Sequence, residues 1–143
     1  MIRLIFLVCL LFGCSQSKFI EKSPRIEHIE NKNYYIQYKK DVFSTAFLGG
    51  INGREGKIRI GFAWMSGNRL AECKVEKELW CTTRKGTPSR FADIVRNMAQ
   101  LLLATQAEDP YYSPRRWKRT NYKDKKIGFW NEKTAENIVF ISE

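Results

Sequence analysis

The stretch KIRIGFAWMSGNRLAECKVEKELWCTT, residues 57 to 83, decides how the rest of the chain is read. Ile58, Ile60, Phe62 and Trp64 alternate with Lys57, Arg59, Gly61 and Ala63, and a period of two marks a strand with one buried face. Ser66-Gly67-Asn68-Arg69 is a two-residue hairpin signal, with Gly67 at the first central position that a type II′ turn prefers. A hairpin centred there sets Trp64 opposite Ala71, Phe62 opposite Cys73 and Ile60 opposite Val75, all on one face. A second reversal near Lys77 sets Cys73 opposite Cys81 and Val75 opposite Leu79, on that face again. Three strands agree on one apolar side, and two cysteines meet across it.

Working outward, residues 34–38 and 42–48 read as two strands upstream, and 127–130 and 137–142 as two more downstream. Between them lies a helix. Thr87 is placed to cap it, Pro88 suits its first position, and Asp109-Pro110 ends it. Phe91, Ile94, Val95, Met98, Leu101 and Leu102 recur at helical spacing. The stripe is expected to cover the sheet. The order of elements implies an α+β domain: an antiparallel sheet, a meander of about five strands plus C-terminal strands, with one amphipathic helix on one face. Residues 34–143 form that single domain, and residues 14–33, polar and with Ser23-Pro24, form a tether. Gly49 to Lys57 is glycine-rich but does not match a phosphate-binding loop, because Ile58 replaces the hydroxyl and a strand follows. It reads as a flexible connection between strands.

The chain has 143 residues, room for one domain with appendages. At 43% hydrophobic and 13% aromatic it is not disordered by composition. Lys plus Arg number 25 against 15 Asp plus Glu, a net +10, which favours anionic partners such as phosphate backbones, acidic lipids or acidic glycans.

The amino-terminal residues set the address. Arg3 precedes the nine-residue apolar run Leu4 to Phe12, too short for a spanning helix, which needs about 20 apolar residues, and matching the core of a secretory signal. Leu11-Phe12-Gly13-Cys14 then resembles the lipobox of bacterial lipoproteins. The resemblance covers residues 1 to 19. It implies removal of residues 1–13 and a thioether-linked diacylglycerol on Cys14, usually with a third acyl chain such as palmitate on the new amino terminus. Two chains anchor a protein stably. Ser15 after the cysteine resembles sorting to the outer membrane, on its periplasmic face.

Export places Cys73 and Cys81 where disulfides persist. Cys9 leaves with the signal and Cys14 carries lipid, so the remaining pair is expected to form a disulfide, with two free buried thiols as the alternative. A metal site lacks ligands: the two cysteines have no second pair, and His28 is the lone histidine.

Residues 110–126, PYYSPRRWKRTNYKDKK, interleave cations with Tyr111, Tyr112, Trp117 and Tyr122. In an exported protein this chemistry suits lipid head groups, lipopolysaccharide phosphates or acidic wall polymers rather than nucleic acid. Arg115, Arg116, Trp117, Lys118 and Arg119 are the candidate anionic-surface residues, against a solvated basic loop with structural aromatics. No nucleophile elbow, metal motif or cofactor loop is present. The expected protein is a membrane-anchored envelope lipoprotein without catalysis or cofactor, a structural or interaction module. The alternative is a small inhibitor or exclusion factor that binds another envelope protein.

Overall fold

The structure, a computed structural model, describes residue 26 and residues 28–143. The expected signal at residues 1–13, Cys14 and the tether up to residue 25 lie outside the described residues. The described part comprises β1 (Lys32–Lys40), β2 (Phe43–Arg54), β3 (Lys57–Trp64), β4 (Arg69–Val75), β5 (Leu79–Thr83), α1 (Ser89–Thr105), β6 (Trp117–Asn121), β7 (Lys126–Asn131) and β8 (Glu136–Ser142). The eight strands form one sheet in the order β5-β4-β3-β2-β1-β8-β7-β6. Every neighbouring pair is antiparallel. The expected α+β architecture is present, with eight strands in place of five plus a C-terminal pair. The additional strand, β6, lies in the basic segment that reads as a loop from sequence.

The order explains the need for the helix. β1 to β5 run outward as a meander to one edge, and β6 to β8 return from the opposite edge to pair β8 with β1. The chain between β5 and β6 must cross the full sheet, seven strand spacings or about 34 Å. A 17-residue helix spans about 25 Å of that distance. It crosses with an apolar side down: Phe91, Ile94, Val95, Met98, Leu101 and Leu102 are buried, as are Ala99, Leu103 and Ala104. They meet Ile36 and Tyr38 of β1, Phe47 of β2, Ile60 and Phe62 of β3, Cys73 of β4, Phe129 of β7 and Ile138 and Phe140 of β8 in a single core. Ile26 and Ile29 pack against this core from the segment before β1.

Three local expectations are revised. Gly49 to Arg54 is not a flexible connection but the second half of β2, closed by a two-residue turn in which Glu55 and Gly56 both have positive φ, 55° and 75°, the conformation of a type I′ hairpin. Gly49 serves packing there, since a Cβ would fall 2.6 Å from Cδ1 of Ile36. The β3–β4 hairpin is slipped by two residues from the expected register, pairing Phe62 with Ala71, Ile60 with Cys73 and Ile58 with Val75. Its loop is Met65-Ser66-Gly67: the Gly67 N–H donates to the Trp64 carbonyl at 2.8 Å and Gly67 has φ 92°. A three-residue loop with left-handed glycine at its end is a favoured hairpin geometry. A slip of two preserves the pleat, so each apolar residue keeps its face. A bulge opposite Phe62 and Ala63 then lets consecutive residues Leu70 and Ala71 both be buried. Finally, Thr87 does not cap α1. Its hydroxyl donates to the Arg84 carbonyl at 2.6 Å, Pro88 occupies the cap position without a side-chain hydrogen bond, and the helix ends at Thr105, before Asp109-Pro110.

The β4–β5 register is as expected, with Cys73 facing Cys81 and Val75 facing Leu79. A disulfide joins Cys73 to Cys81 across Cα atoms 4.0 Å apart, the close spacing of facing residues that do not exchange hydrogen bonds. Closing so short a loop contributes about 2–3 kcal/mol by the chain-entropy account, at an edge strand whose turn, Glu76-Lys77-Glu78, lacks favoured turn residues.

Candidate functional site

The pleat of β6 divides the basic segment. Trp117 and Arg119 pair with Asn131 and Phe129 on the helix side of the sheet, whereas Lys118 pairs with Trp130 on the other side. Trp117 is 7% exposed. The Arg119 guanidinium donates to the carbonyls of Ala104 and Tyr112 at 3.1 and 3.0 Å and to Oδ1 of Asn121 at 2.8 Å. It also lies 5.8 Å from the Phe129 ring centroid. Arg119 therefore ties the end of α1 and the following loop to β6. Burial lowers its pKa, and Asp109 and Tyr34 oppose that shift. Lys118 reaches solvent and pairs with Glu132 at 3.2 Å. Arg115 and Arg116 lie exposed in the turn before β6, with Arg116 at φ 75°. The five expected residues thus do not share one surface.

The side of the sheet away from α1 carries the basic surface that sequence reading did not assemble. Lys39, Arg54, Lys57, Arg59, Arg69, Lys74, Lys118 and Lys126 are exposed there, contributed by β1, β2, β3, β4, β6 and β7. Glu72 is the single acid at a strand position on this face, and it lies 4.0 Å from Arg69. Two large aromatics flank the array. Trp80, 65% exposed, faces Lys74 across the β4–β5 ladder, and Trp130, 41% exposed, faces Lys118 across the β6–β7 ladder. Each end of the uncovered face therefore pairs an indole with an ammonium. The signal was present in the alternation of Lys57 and Arg59 with Ile58 and Ile60, which puts the cations opposite the core. Bringing them beside Lys118 and Lys126 required the β8–β1 pairing, which no local pattern reports.

One polar cluster interrupts the covered face. Glu136 is 6% exposed and accepts hydrogen bonds from the Tyr38 hydroxyl at 2.8 Å, the Thr134 hydroxyl at 2.8 Å and Nδ2 of Asn97 at 3.4 Å. Burial first, then the hydrogen bond and the charge of Glu136, push the Tyr38 phenol well above its ordinary range. With three donors on a single carboxylate, the cluster links β1, β8 and α1. No buried side-chain nitrogen or oxygen among the described residues lacks a partner.

Among the described residues no helix is long and apolar enough to cross a membrane. No family model matches this chain, and no curated protein matches it.

Proposed function

We propose that the chain is a lipid-anchored lipoprotein of a bacterial envelope, held through Cys14 at the periplasmic face of the outer membrane. Its domain is a non-catalytic interaction module for an anionic component: lipid, lipopolysaccharide or wall polymer. The observation that carries this reading is the uncovered sheet face, with eight exposed strand cations against Glu72 and an indole at each end. Aromatic rings suit the water–lipid boundary and polymer rims alike, and ammonium groups near an anionic surface contribute about 1 kcal/mol each. Relative to the sequence-based expectation, Lys118 stays in the contact surface and Trp117 and Arg119 move behind it. A second reading, an inhibitor or exclusion factor, draws support from the exposure of Trp80 and Trp130, since aromatics also anchor protein interfaces.

The test uses the chain from residue 15 onward, so that neither the lipid nor the apolar run at residues 4–12 contributes to binding. Sedimentation with phosphatidylglycerol vesicles is compared between this chain and one that also carries Lys74→Ser, Lys118→Ser and Lys126→Ser. Loss of three cations is expected to weaken binding about 100-fold at low salt. Equal binding overturns the anionic-surface reading, and retention of a specific envelope protein on the domain would then favour the inhibitor reading. The anchor is tested separately: Cys14→Ser is expected to abolish palmitate labelling and leave unprocessed precursor.

A further inference from the structure

The uncovered face contains a groove where two facing side chains are missing. Gly50 of β2 pairs directly with Gly61 of β3, and the same row continues to Asn33 on β1 and Glu72 on β4. Asn33 and Glu72 form walls three strand spacings apart, about 14 Å. The groove is open to solvent and has a volume of about 570 Å³, within the size range of small-molecule sites. One end is formed by Asn52 and Arg59, the other by Leu48, Ala63 and Arg69.

Gly61 is required neither by packing nor by a left-handed φ. It sits inside a strand, its φ is not left-handed, and a Cβ built on it meets nothing within 4 Å. Gly50 is similar, since its Cβ would meet only the end of the Asn33 side chain and, at 3.8 Å, the Lys32 carbonyl. By contrast Gly49, Gly53 and Gly128 each abut a core or aromatic side chain within 3.0 Å. A strand glycine costs about 0.5–1 kcal/mol relative to alanine, and where no neighbour requires it, an adjacent bulge or close approach of a ligand to the backbone accounts for it. The bulge here lies beyond Phe62, whereas the groove lies over Gly61 itself.

We propose that this groove binds one anionic sugar unit, a ring bearing phosphate or carboxylate. The inference rests on the reading of this face as an anionic-polymer surface and names the unit recognised. The flat glycine floor admits a pyranose ring against bare backbone. Leu48 and Ala63 meet its C–H edge. Asn33, Asn52 and Glu72 supply the donors and acceptors that hydroxyl groups need. One guanidinium stands at each end, Arg59 and Arg69, and each presents a planar fork that matches phosphate or carboxylate.

The full chain in detergent micelles, labelled with nitrogen-15, is titrated with glucose 6-phosphate, glucuronate, glucose and inorganic phosphate. The two anionic sugars are expected to shift the amides of Gly50, Arg59 and Gly61, with glucose and phosphate alone at least about tenfold weaker. Gly61→Val places a strand-favouring side chain in open space. It should keep or raise the melting temperature while weakening both anionic sugars by at least about tenfold. The proposal is overturned if the sugars shift none of these amides, if phosphate alone matches them, or if Gly61→Val binds as the parent does. Vesicle binding by the parent chain separates the two readings. If the parent binds vesicles but neither anionic sugar, the groove assignment falls and the basic surface stands. If the three-lysine variant keeps its vesicle binding, the surface reading falls whatever the sugars do.

Discussion

On the helix side of the sheet, Ile36, Phe47, Ile60, Ile138 and Phe140 are all fully buried. One residue along from such positions, on the other side, Gln37, Arg59 and Asn137 are exposed, and Lys39, Lys74, Lys118 and Lys126 join them. The two sets belong to the same strands and are separated only by the pleat. Close packing dictates the first set, because each apolar side chain there fits against several others. Folding makes no such demand on the second. A solvated face needs polarity but not one sign of charge, so the eight cations against Glu72 are not explained by the fold, and the proposed anionic partner would account for them.

The contrast breaks most sharply at Phe47. It lies in the centre of the covered face, paired with Ile36 and with Trp64, whose ring centroid is 5.4 Å away. Phe47→Ala is expected to cost about 3–5 kcal/mol in denaturant unfolding. Its counterparts on the other face should move stability by no more than about 0.5 kcal/mol. If Lys74→Ser or Lys126→Ser matched the loss at Phe47, the uncovered face would be part of the fold's own architecture and the inference of a partner would fail.

Adjacent residues of β6 sharpen the comparison. Arg119→Ala removes the donors to the Ala104 and Tyr112 carbonyls and the contact with Phe129. A loss of about 2–3 kcal/mol is expected, because part-buried carbonyls are left unpaired. Lys118→Ala removes only a solvent-exposed ion pair with Glu132, worth at most about 1 kcal/mol. Equal effects of the two substitutions on thermal unfolding would contradict the division of this strand between the two faces.

The same strand marks where sequence reading stops. The three-strand pattern of residues 57–83 was legible because Ile58, Ile60, Phe62 and Trp64 alternate with polar or small residues and Ala71, Cys73, Val75, Leu79 and Cys81 fall in step with them. A two-residue error in register left the faces of these residues correct. Residues 117–121, WKRTN, hide their pleat because the inward position after Trp117 is an arginine. Its burial is made acceptable by carbonyls from the end of α1 and from the loop after it, up to 15 residues away in sequence. The candidate surface was lost for a related reason. Lys118 and Arg119 look equivalent in a charge run, and only their pairing with Trp130 and Phe129 separates surface from support. The groove had a trace in the sequence, the glycines of residues 49–61, but which of them pack and which stand open depends on Ile36, Ile29 and Phe62.

The covered face has one place where polarity and packing meet, and there the comparison is tested most finely. Tyr38→Phe keeps the ring in the core and removes one of three donors to Glu136, leaving Thr134 and Asn97. The expected cost is about 1–2 kcal/mol near neutral pH. The folded state raises the phenol pKa, so the stability this group supplies is fully present below the ordinary phenol value and is lost as pH rises through and above it. In the unfolded chain the hydroxyl ionises near pH 10, while in the folded chain it stays protonated beside the carboxylate, so each further pH unit favours unfolding by up to about 1.4 kcal/mol. The phenylalanine variant lacks that term, and the remaining tyrosines titrate alike in both proteins. The stability gap between parent and variant should therefore close between about pH 10.5 and 11.5. A gap that stays constant across that range would mean that the hydroxyl does not report on Glu136, and that packing alone accounts for the covered face even at its polar centre.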